Sequence, residues 1–246
     1  MRLRLLCDAD GCLFPSEEPA YDASAEVMAQ FLAHVGIARS YSATQLRTEF
    51  TGLNFRATAA ILCGRHGRAV TAGELARWVA LERDVVTRHL SRVLTPDPAV
   101  LAPLSQVGAA AVLSVVSSSA SARIDACLAA TGLAALFPHH RRFSAEALRP
   151  PASKPDPAVY VEAVSRIDDA DAPVLAVEDS GVGVQAAVAA GVPVVGLLQF
   201  VRAAERERRT AQLLRAGACA VVESWEQLVA RQVTGRADPG VRSRQP

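Results

Sequence analysis

The chain has 246 residues, of which 50% are hydrophobic, and a formal net charge of +1. These values are typical of a folded protein with one large or two modest domains, and the balanced charge gives no reason to expect nucleic acid or an anionic membrane as a partner. No apolar run reaches the about 18 residues of a membrane span, and five cysteines without CxxC spacing indicate free thiols in a reducing compartment, so we expect a cytoplasmic protein.

Short apolar runs separated by helical patterns predict the core of the fold. Strands are predicted over 3–7, 111–116, 173–177, 192–198 and 219–222, and helices over 120–131, 156–166, 183–190 and 203–215. Strands that alternate with helices favour a parallel sheet covered on both faces. We therefore expect an α/β fold with a doubly wound, Rossmann-like core domain.

Residues 16–95 break this alternation and predict an all-helical domain inserted after the first strand. Its expected helix starts are Asp22 and two capping boxes, Ser42 with Gln45 and Thr71 with Glu74. The last helix has apolar residues at helical spacing, namely Leu75, Val79, Val86, Leu90 and Val93. We expect a core of 1–15 and 96–233, a helical cap of 16–95, and a disordered tail of 234–246 that is rich in Arg, Gly and Pro.

Asp8 and Asp10 follow the first predicted strand, at the sheet edge where ligands bind in parallel α/β folds. One carboxylate can attack phosphorus while the other protonates the departing alkoxide, which is the chemistry of an aspartyl-phosphate intermediate. Gly11 would permit close backbone approach. The pattern Asp-x-Asp-Gly also fits a turn or a calcium loop, but residues 13–15 supply no further oxygen ligands for calcium.

Glu178 and Asp179 follow another predicted strand and add two carboxylates. So many anions at one sheet edge would repel each other without a cation, and together with phosphate they favour Mg²⁺. Asp179 or Ser180 could also cap the next helix, a role that is compatible with metal binding.

Ser117 and Ser118 follow the second predicted strand, where a hydroxyl and the backbone amides of a helix start can bind an anion. A serine triplet is also common as a plain helix cap. A serine hydrolase is disfavoured, because the Gly-x-Ser-x-Gly motif of such enzymes does not surround these serines. Lys154 is the only lysine among 26 basic residues. Its compact ammonium could bind phosphoryl oxygens and carboxylates, although a solvated surface lysine is the alternative.

The order of these groups resembles the four motifs of the haloacid dehalogenase-like hydrolases: Asp8-x-Asp10-Gly11, Ser117, Lys154-Pro155, and Glu178-Asp179 followed by Gly183. The resemblance covers about residues 3–230, and the helical insert is similar to the cap of the subgroup that contains β-phosphoglucomutase and phosphoglycolate phosphatase. It implies that Asp8 is the nucleophile and a metal ligand. Asp10 would be the general acid and base, with its backbone carbonyl on the metal.

The same resemblance implies that Ser117 and Lys154 hold the phosphoryl group, with Gly11 and Ser118 beside it. It also implies that Asp179 and Glu178 complete the Mg²⁺ site, and that Glu178 binds the metal directly or through water. The implied protein is a magnesium-dependent phosphatase of a small phosphorylated metabolite. Its oligomeric state stays open. The second aspartate argues against dehalogenation.

The cap loop at 51–55 resembles the loop that reaches the active site in this family, so Asn54 and Arg56 are candidate substrate-binding residues. An ordinary helix–helix turn with Phe55 in the cap core is the alternative. A sugar phosphomutase would share the core motifs, but β-phosphoglucomutases carry an arginine at the position of Phe55 and a histidine near Ala20 and Tyr21. A non-catalytic binding module on the same fold is a further alternative, although none of the catalytic residues is missing.

Overall fold

The structure, a computed structural model, describes residues 2–50, 53–166 and 172–234. The chain divides into two compact units, one formed by the residues up to Phe14 and from Pro96 onward, the other by Pro15–Thr95. The predicted tail lies outside the described residues from position 235 onward. Among the described residues, no helix combines the length and the apolarity needed to cross a membrane.

The first unit contains a parallel sheet, as predicted. Its strands in the described residues are β1 Leu3–Cys7, β2 Ala111–Ser117, β3 Arg142–Ser144, β4 Val174–Glu178, β5 Val194–Leu197 and β6 Ala220–Val222, in the spatial order β3-β2-β1-β4-β5-β6. The central strand β1 is apolar and buried at its end, and Cys7 lies opposite Val115 of β2 and Val177 of β4. The carboxyl ends of these three strands therefore lie side by side.

Ten α-helices are defined in the described residues. Those of the second unit are α1 Glu17–His34, α2 Ala43–Glu49, α3 Phe55–Arg65 and α4 Ala72–Val93. Those of the first unit are α5 Pro98–Ala110, α6 Ser121–Ala130, α7 Ala158–Ser165, α8 Gly181–Ala189, α9 Arg206–Ala216 and α10 Trp225–Thr234. The doubly wound α/β class and the helical insertion are both confirmed.

Three elements of the first unit were not predicted. Strand β3 has only three residues, too few for a periodic signal. Helix α5 begins at Pro98, because the first turn of a helix tolerates proline, and Asp97 caps it by accepting from the Ala99 amide at 2.9 Å. Helix α10 begins at Trp225, whose buried indole N–H donates to the carbonyl of Cys12 at 2.8 Å.

In the helical unit, the predicted start of the first helix at Asp22 is wrong. Helix α1 begins at Glu17, and Pro19 fits its first turn because the backbone nitrogen there needs no helical partner. Both predicted capping boxes are present, at Ser42 with Gln45 and at Thr71 with Glu74. Of the apolar residues predicted for α4, Leu75, Val86 and Leu90 are buried, whereas Val93 is exposed at the last turn.

Aromatic side chains form much of the interior of the helical unit. Phe31 of α1 makes edge contacts with Phe55 and Trp78, with ring centroids 6.1 and 5.7 Å apart. The hydroxyl of Ser24 donates to Glu82 at 2.8 Å and so joins α1 to α4. This unit therefore has a core of its own, separate from the residues that pack on the sheet.

The neighbours Leu213 and Leu214 on α9 provide a matched test of core packing. Leu213 is fully buried against the sheet, whereas Leu214 is 48% exposed. We expect Leu213→Ala to lower the free energy of unfolding by about 2–5 kcal/mol, because it leaves a cavity, and Leu214→Ala to lower it by less than about 1 kcal/mol. Urea unfolding followed by far-UV circular dichroism measures both, and equal effects would contradict this packing.

Candidate active site

The strand ends bring together residues that are far apart in the sequence. Asp8 follows β1, Ser117 ends β2, and Glu178 ends β4 with Asp179 directly after it. The register places these ends next to one another because β1 pairs with both β2 and β4. Asp8, Ser117 and Glu178 are all buried.

Lys154 lies between the two buried carboxylates. Its ammonium donates to Asp8 Oδ1 at 2.6 Å, to Glu178 Oε1 at 2.6 Å and to the Val116 carbonyl at 2.8 Å. An ammonium has three hydrogens, so these three acceptors use its full capacity. The side chain is only 5% exposed, and the alternative of a solvated surface lysine is therefore wrong.

Two further side chains fix this arrangement. The Ser118 hydroxyl accepts from the backbone N–H of Lys154 at 3.1 Å. The hydroxyl of Tyr160, from α7, donates to Glu178 Oε1, and its ring centroid lies 5.2 Å from the ammonium. Burial and then Glu178 raise the pKa of Tyr160, so the phenol stays neutral and remains a donor. Tyr160 was not singled out from the sequence, where it reads as an ordinary apolar helix position.

The site carries more negative than positive charge. Burial would lower the pKa of Lys154, but Asp8 and Glu178 outweigh it and raise that pKa, so the ammonium stays charged. Burial raises the pKa of Asp8, Lys154 opposes this, and the carboxylates of Glu178, Asp179 and Asp10 raise it further. Even with the guanidiniums of Arg123 and Arg209 nearby, these four carboxylates outnumber the cations by one, and a bound cation would stabilise such a pocket.

The donor atoms present fit a hard cation. A carboxylate oxygen of Asp8, one of Asp179 and the Cys12 sulfur lie within 4.8 Å of one another. Glu178 is not in this group: its Oε1 accepts from Lys154 and Tyr160, and its Oε2, which is buried and has no hydrogen-bond partner among the described residues, lies against Gly183. Burial and the nearby carboxylates raise the pKa of Cys12, so its neutral thiol is a poor ligand beside the oxygens. Oxygen ligands of this kind are the ones that Mg²⁺ prefers.

Two glycines leave space for these carboxylates. Gly11 has a φ of +83°, and a Cβ there would overlap the Asp179 carboxylate. A Cβ at Gly183 would overlap the Glu178 carboxylate. Gly183 also donates its N–H to the Ser180 hydroxyl at 3.1 Å, so Ser180 rather than Asp179 caps α8.

The carboxylate of Asp10 has different hydrogen-bond partners from the carboxylate of Asp8. Its Oδ2 accepts from the Ser119 hydroxyl at 2.7 Å, and its Oδ1 accepts from Arg123 Nη2 at 3.0 Å. Its side chain is not part of the group formed by Asp8, Cys12 and Asp179. The family resemblance implies that the backbone carbonyl of Asp10, and not its side chain, contacts the metal, and this contact stays a prediction. Arg123 was not found from the sequence, because nothing distinguishes one of 25 arginines.

Ser117 and Asp179 are also held by local contacts. The Ser117 hydroxyl accepts from the Ser119 N–H at 3.0 Å, which still leaves its own hydrogen to donate. Arg209 on α9 donates to the backbone carbonyl of Asp179 at 2.8 Å, with its guanidinium 3.9 Å from the carboxylate. Arg209 is a second residue that the sequence patterns did not identify.

The two candidate substrate residues lie in the helical unit. Asn54 accepts from the Ala57 N–H at 3.0 Å and caps α3, and Arg56 is exposed on the first turn. Phe55 is buried, in agreement with the alternative that places it in the cap core. Thr51 and Gly52 of the predicted loop lie outside the described residues, and a substrate role for Asn54 and Arg56 stays a prediction.

A family profile described as haloacid dehalogenase-like hydrolase matches residues 5–191. No curated protein matches the chain at a significant level. Similar solved structures include a haloacid dehalogenase-like protein from Agrobacterium tumefaciens, with 23% identity, a TM-score of 0.68, and coverage of 97% of this chain and 100% of that chain.

Two further similar structures contain bound ligands. A HAD family hydrolase from Deinococcus radiodurans, with bound phosphate and sodium, is 21% identical, with a TM-score of 0.65 and coverage of 94% of this chain and 95% of that chain. A mutant of CbbY from Rhodobacter sphaeroides, in complex with xylulose-(1,5)-bisphosphate, is 19% identical, with a TM-score of 0.70 and coverage of 93% of this chain and 96% of that chain. At these identities the likeness establishes the fold.

Removing the buried ammonium should destabilise the first unit. Lys154→Met leaves Asp8 and Glu178 without their shared counter-charge, and we expect the free energy of unfolding in EDTA at neutral pH to fall by about 3–5 kcal/mol. Arg166→Met is the control, since this exposed arginine pairs with Glu162 on the surface and should cost less than about 1 kcal/mol. An unchanged stability of Lys154→Met in urea unfolding would contradict the central role of the ammonium.

Proposed function

The chain belongs to the haloacid dehalogenase-like hydrolase family, and we propose that it is a magnesium-dependent phosphatase that hydrolyses a small phosphorylated metabolite through an aspartyl phosphate. The observation that carries this proposal is the buried carboxylate of Asp8, which lies in one group with an oxygen of Asp179 and is held at 2.6 Å by Lys154, the ammonium that also binds Glu178. A carboxylate fixed in this way next to a cation site is suited to attack phosphorus.

In the first step Asp8 attacks phosphorus and the bond to the leaving oxygen breaks, while Asp10 donates a proton to that oxygen. In the second step a water attacks the aspartyl phosphate, Asp10 takes its proton, and the electron pair of the breaking bond returns to the Asp8 carboxylate. Lys154 and Ser117 would bind phosphoryl oxygens in both steps, Lys154 with the hydrogen that it gives to Asp8 before the Asp8 carboxylate attacks phosphorus. Asp8, Asp179, Glu178 and the Asp10 carbonyl would hold the Mg²⁺, which supplies positive charge for the phosphoryl oxygens.

Two further observations support the proposal. The similar D. radiodurans protein binds phosphate, and the R. sphaeroides protein binds a sugar bisphosphate. We also propose a cytoplasmic location, which the five free cysteines favour.

A sugar phosphomutase remains the second candidate and is less well supported. Tyr21, near the position where β-phosphoglucomutases carry a histidine, lies on α1 and packs against the core of the helical unit. Burial raises its pKa, and so Tyr21 cannot replace a histidine in proton transfer near neutral pH. Incubation with a hexose 1-phosphate and a bisphosphate activator separates the two activities, since we expect free phosphate rather than an isomer.

Asp8→Asn should abolish phosphate release from 4-nitrophenyl phosphate in the presence of Mg²⁺, because the amide cannot form the aspartyl phosphate. Asp84→Asn is the matched control, since Asp84 is exposed on α4. Steady-state assays of both variants, together with mass spectrometry of the acid-quenched wild type to detect a phosphoryl group on the Asp8 peptide, test the proposal. Equal rates for wild type and Asp8→Asn would refute it.

Asp179→Asn should weaken Mg²⁺ binding about tenfold or more, because it removes one anionic oxygen ligand from the pocket. Isothermal titration calorimetry of Mg²⁺ without substrate measures this independently of activity. The Asp84→Asn variant should bind Mg²⁺ like the wild type. Unchanged binding by Asp179→Asn would exclude this carboxylate as a ligand.

A further inference from the structure

Both carboxylate oxygens of Asp10 are held by side chains that follow β2. The Ser119 hydroxyl donates to Oδ2 at 2.7 Å, and Arg123 Nη2 donates to Oδ1 at 3.0 Å. Arg123 lies in the first turn of α6. Because the two donors act on opposite oxygens, they restrain rotation of the carboxylate as well as its position.

The donors are themselves anchored in the core of the first unit. The Ser119 N–H donates to the Ser117 hydroxyl at 3.0 Å, and its carbonyl accepts from the Ser144 hydroxyl at 2.7 Å at the end of β3. The side chains of Arg123 and Asp10 are 23% and 29% exposed, so their ion pair is partly shielded from water. A charge-assisted hydrogen bond in such a place is stronger and better directed than a surface ion pair.

We propose that Arg123 and Ser119 are positioning residues that orient the Asp10 carboxylate toward the water that hydrolyses the aspartyl phosphate. The inference rests on the proposed function and adds to it two residues outside the four motifs. A general base acts only within hydrogen-bond reach of the proton it takes. A carboxylate released from both donors would sample other rotamers and would meet this requirement for a smaller fraction of the time.

The two chemical steps depend on this orientation to different degrees for an activated substrate. With 4-nitrophenyl phosphate, the leaving group departs as nitrophenolate without a proton from Asp10, so Asp8 can still form the aspartyl phosphate. Attack by water then requires Asp10 to accept a proton, while the bond between phosphorus and Asp8 breaks and phosphate leaves. A defect in the position of Asp10 therefore slows the second step more than the first.

The test is rapid-mixing kinetics of Arg123→Met with 4-nitrophenyl phosphate and Mg²⁺. We expect a burst of about one nitrophenolate per active site, followed by a steady-state rate lowered about tenfold or more. Ser119→Ala should give a smaller defect of the same kind, and Arg123→Lys should recover part of the rate because the ammonium can still donate to Asp10. Asp10→Asn sets the reference, with the burst kept and turnover nearly absent.

Arg166→Met is the matched control, because this exposed arginine follows the last residue of α7 and pairs there with Glu162, and the variant should behave like the wild type. A wild-type steady-state rate for Arg123→Met would overturn the inference, as would a slow rate without a burst in a variant with a native circular dichroism spectrum. A slow rate without a burst in Ser119→Ala would also overturn the inference, and this smaller substitution is less able to disturb the fold. An active Asp8→Asn would instead refute the proposed function itself.

Discussion

The structure of the site depends on one buried ammonium that lies between two buried carboxylates. Lys154 directs its three hydrogens to Asp8, Glu178 and the carbonyl of Val116, which converge on a single nitrogen atom. A guanidinium spreads its donors over a planar fork and could not replace this geometry, which explains a lysine in a chain that otherwise uses arginine. Without that charge the strand ends of β1 and β4 would place like charges together in a poorly solvated space.

Three of the four carboxylates of the site have further supporting residues besides Lys154. Tyr160 holds Glu178, Arg209 holds the backbone of Asp179, and Ser119 with Arg123 holds Asp10. These supporting residues come from α7, α9, and the loop and first turn that lead into α6. Reactive groups therefore sit on the sheet edge, while the helices that cover the sheet set their orientation, and a site held in this way needs little rearrangement during reaction.

The sequence was informative where the physical signal is local. Buried strands read as apolar runs, the polar residues at their ends pointed to Asp8 and Glu178, and the use of a single lysine in the sequence pointed to Lys154. The structure brings these three residues into contact. The sequence was uninformative where an element is very short or where a side chain is placed by a partner far away in the chain. Strand β3 is too short for periodicity. Helix α10 is different, because its start has a local signal that was missed: Ser224 with Gln227 has the spacing of a capping box, and the Gln227 N–H donates to the Ser224 hydroxyl at 3.1 Å. Arg123 owes its position to a partner 113 residues away in the sequence, which no local pattern encodes.

The strand order has a consequence for the newborn chain on the ribosome. Strand β1 is made first but occupies the middle of the sheet, and its neighbours β2 and β4 are translated more than a hundred residues later. Lys154 is translated 146 residues after Asp8, and Trp225, whose indole binds the carbonyl of Cys12, is translated 213 residues after Cys12. Nascent chains would thus carry an unpaired apolar strand at least until β2 is complete at Ser117, a state that chaperones commonly shield. A premature stop before α10 would leave the carbonyl of Cys12 without its indole partner.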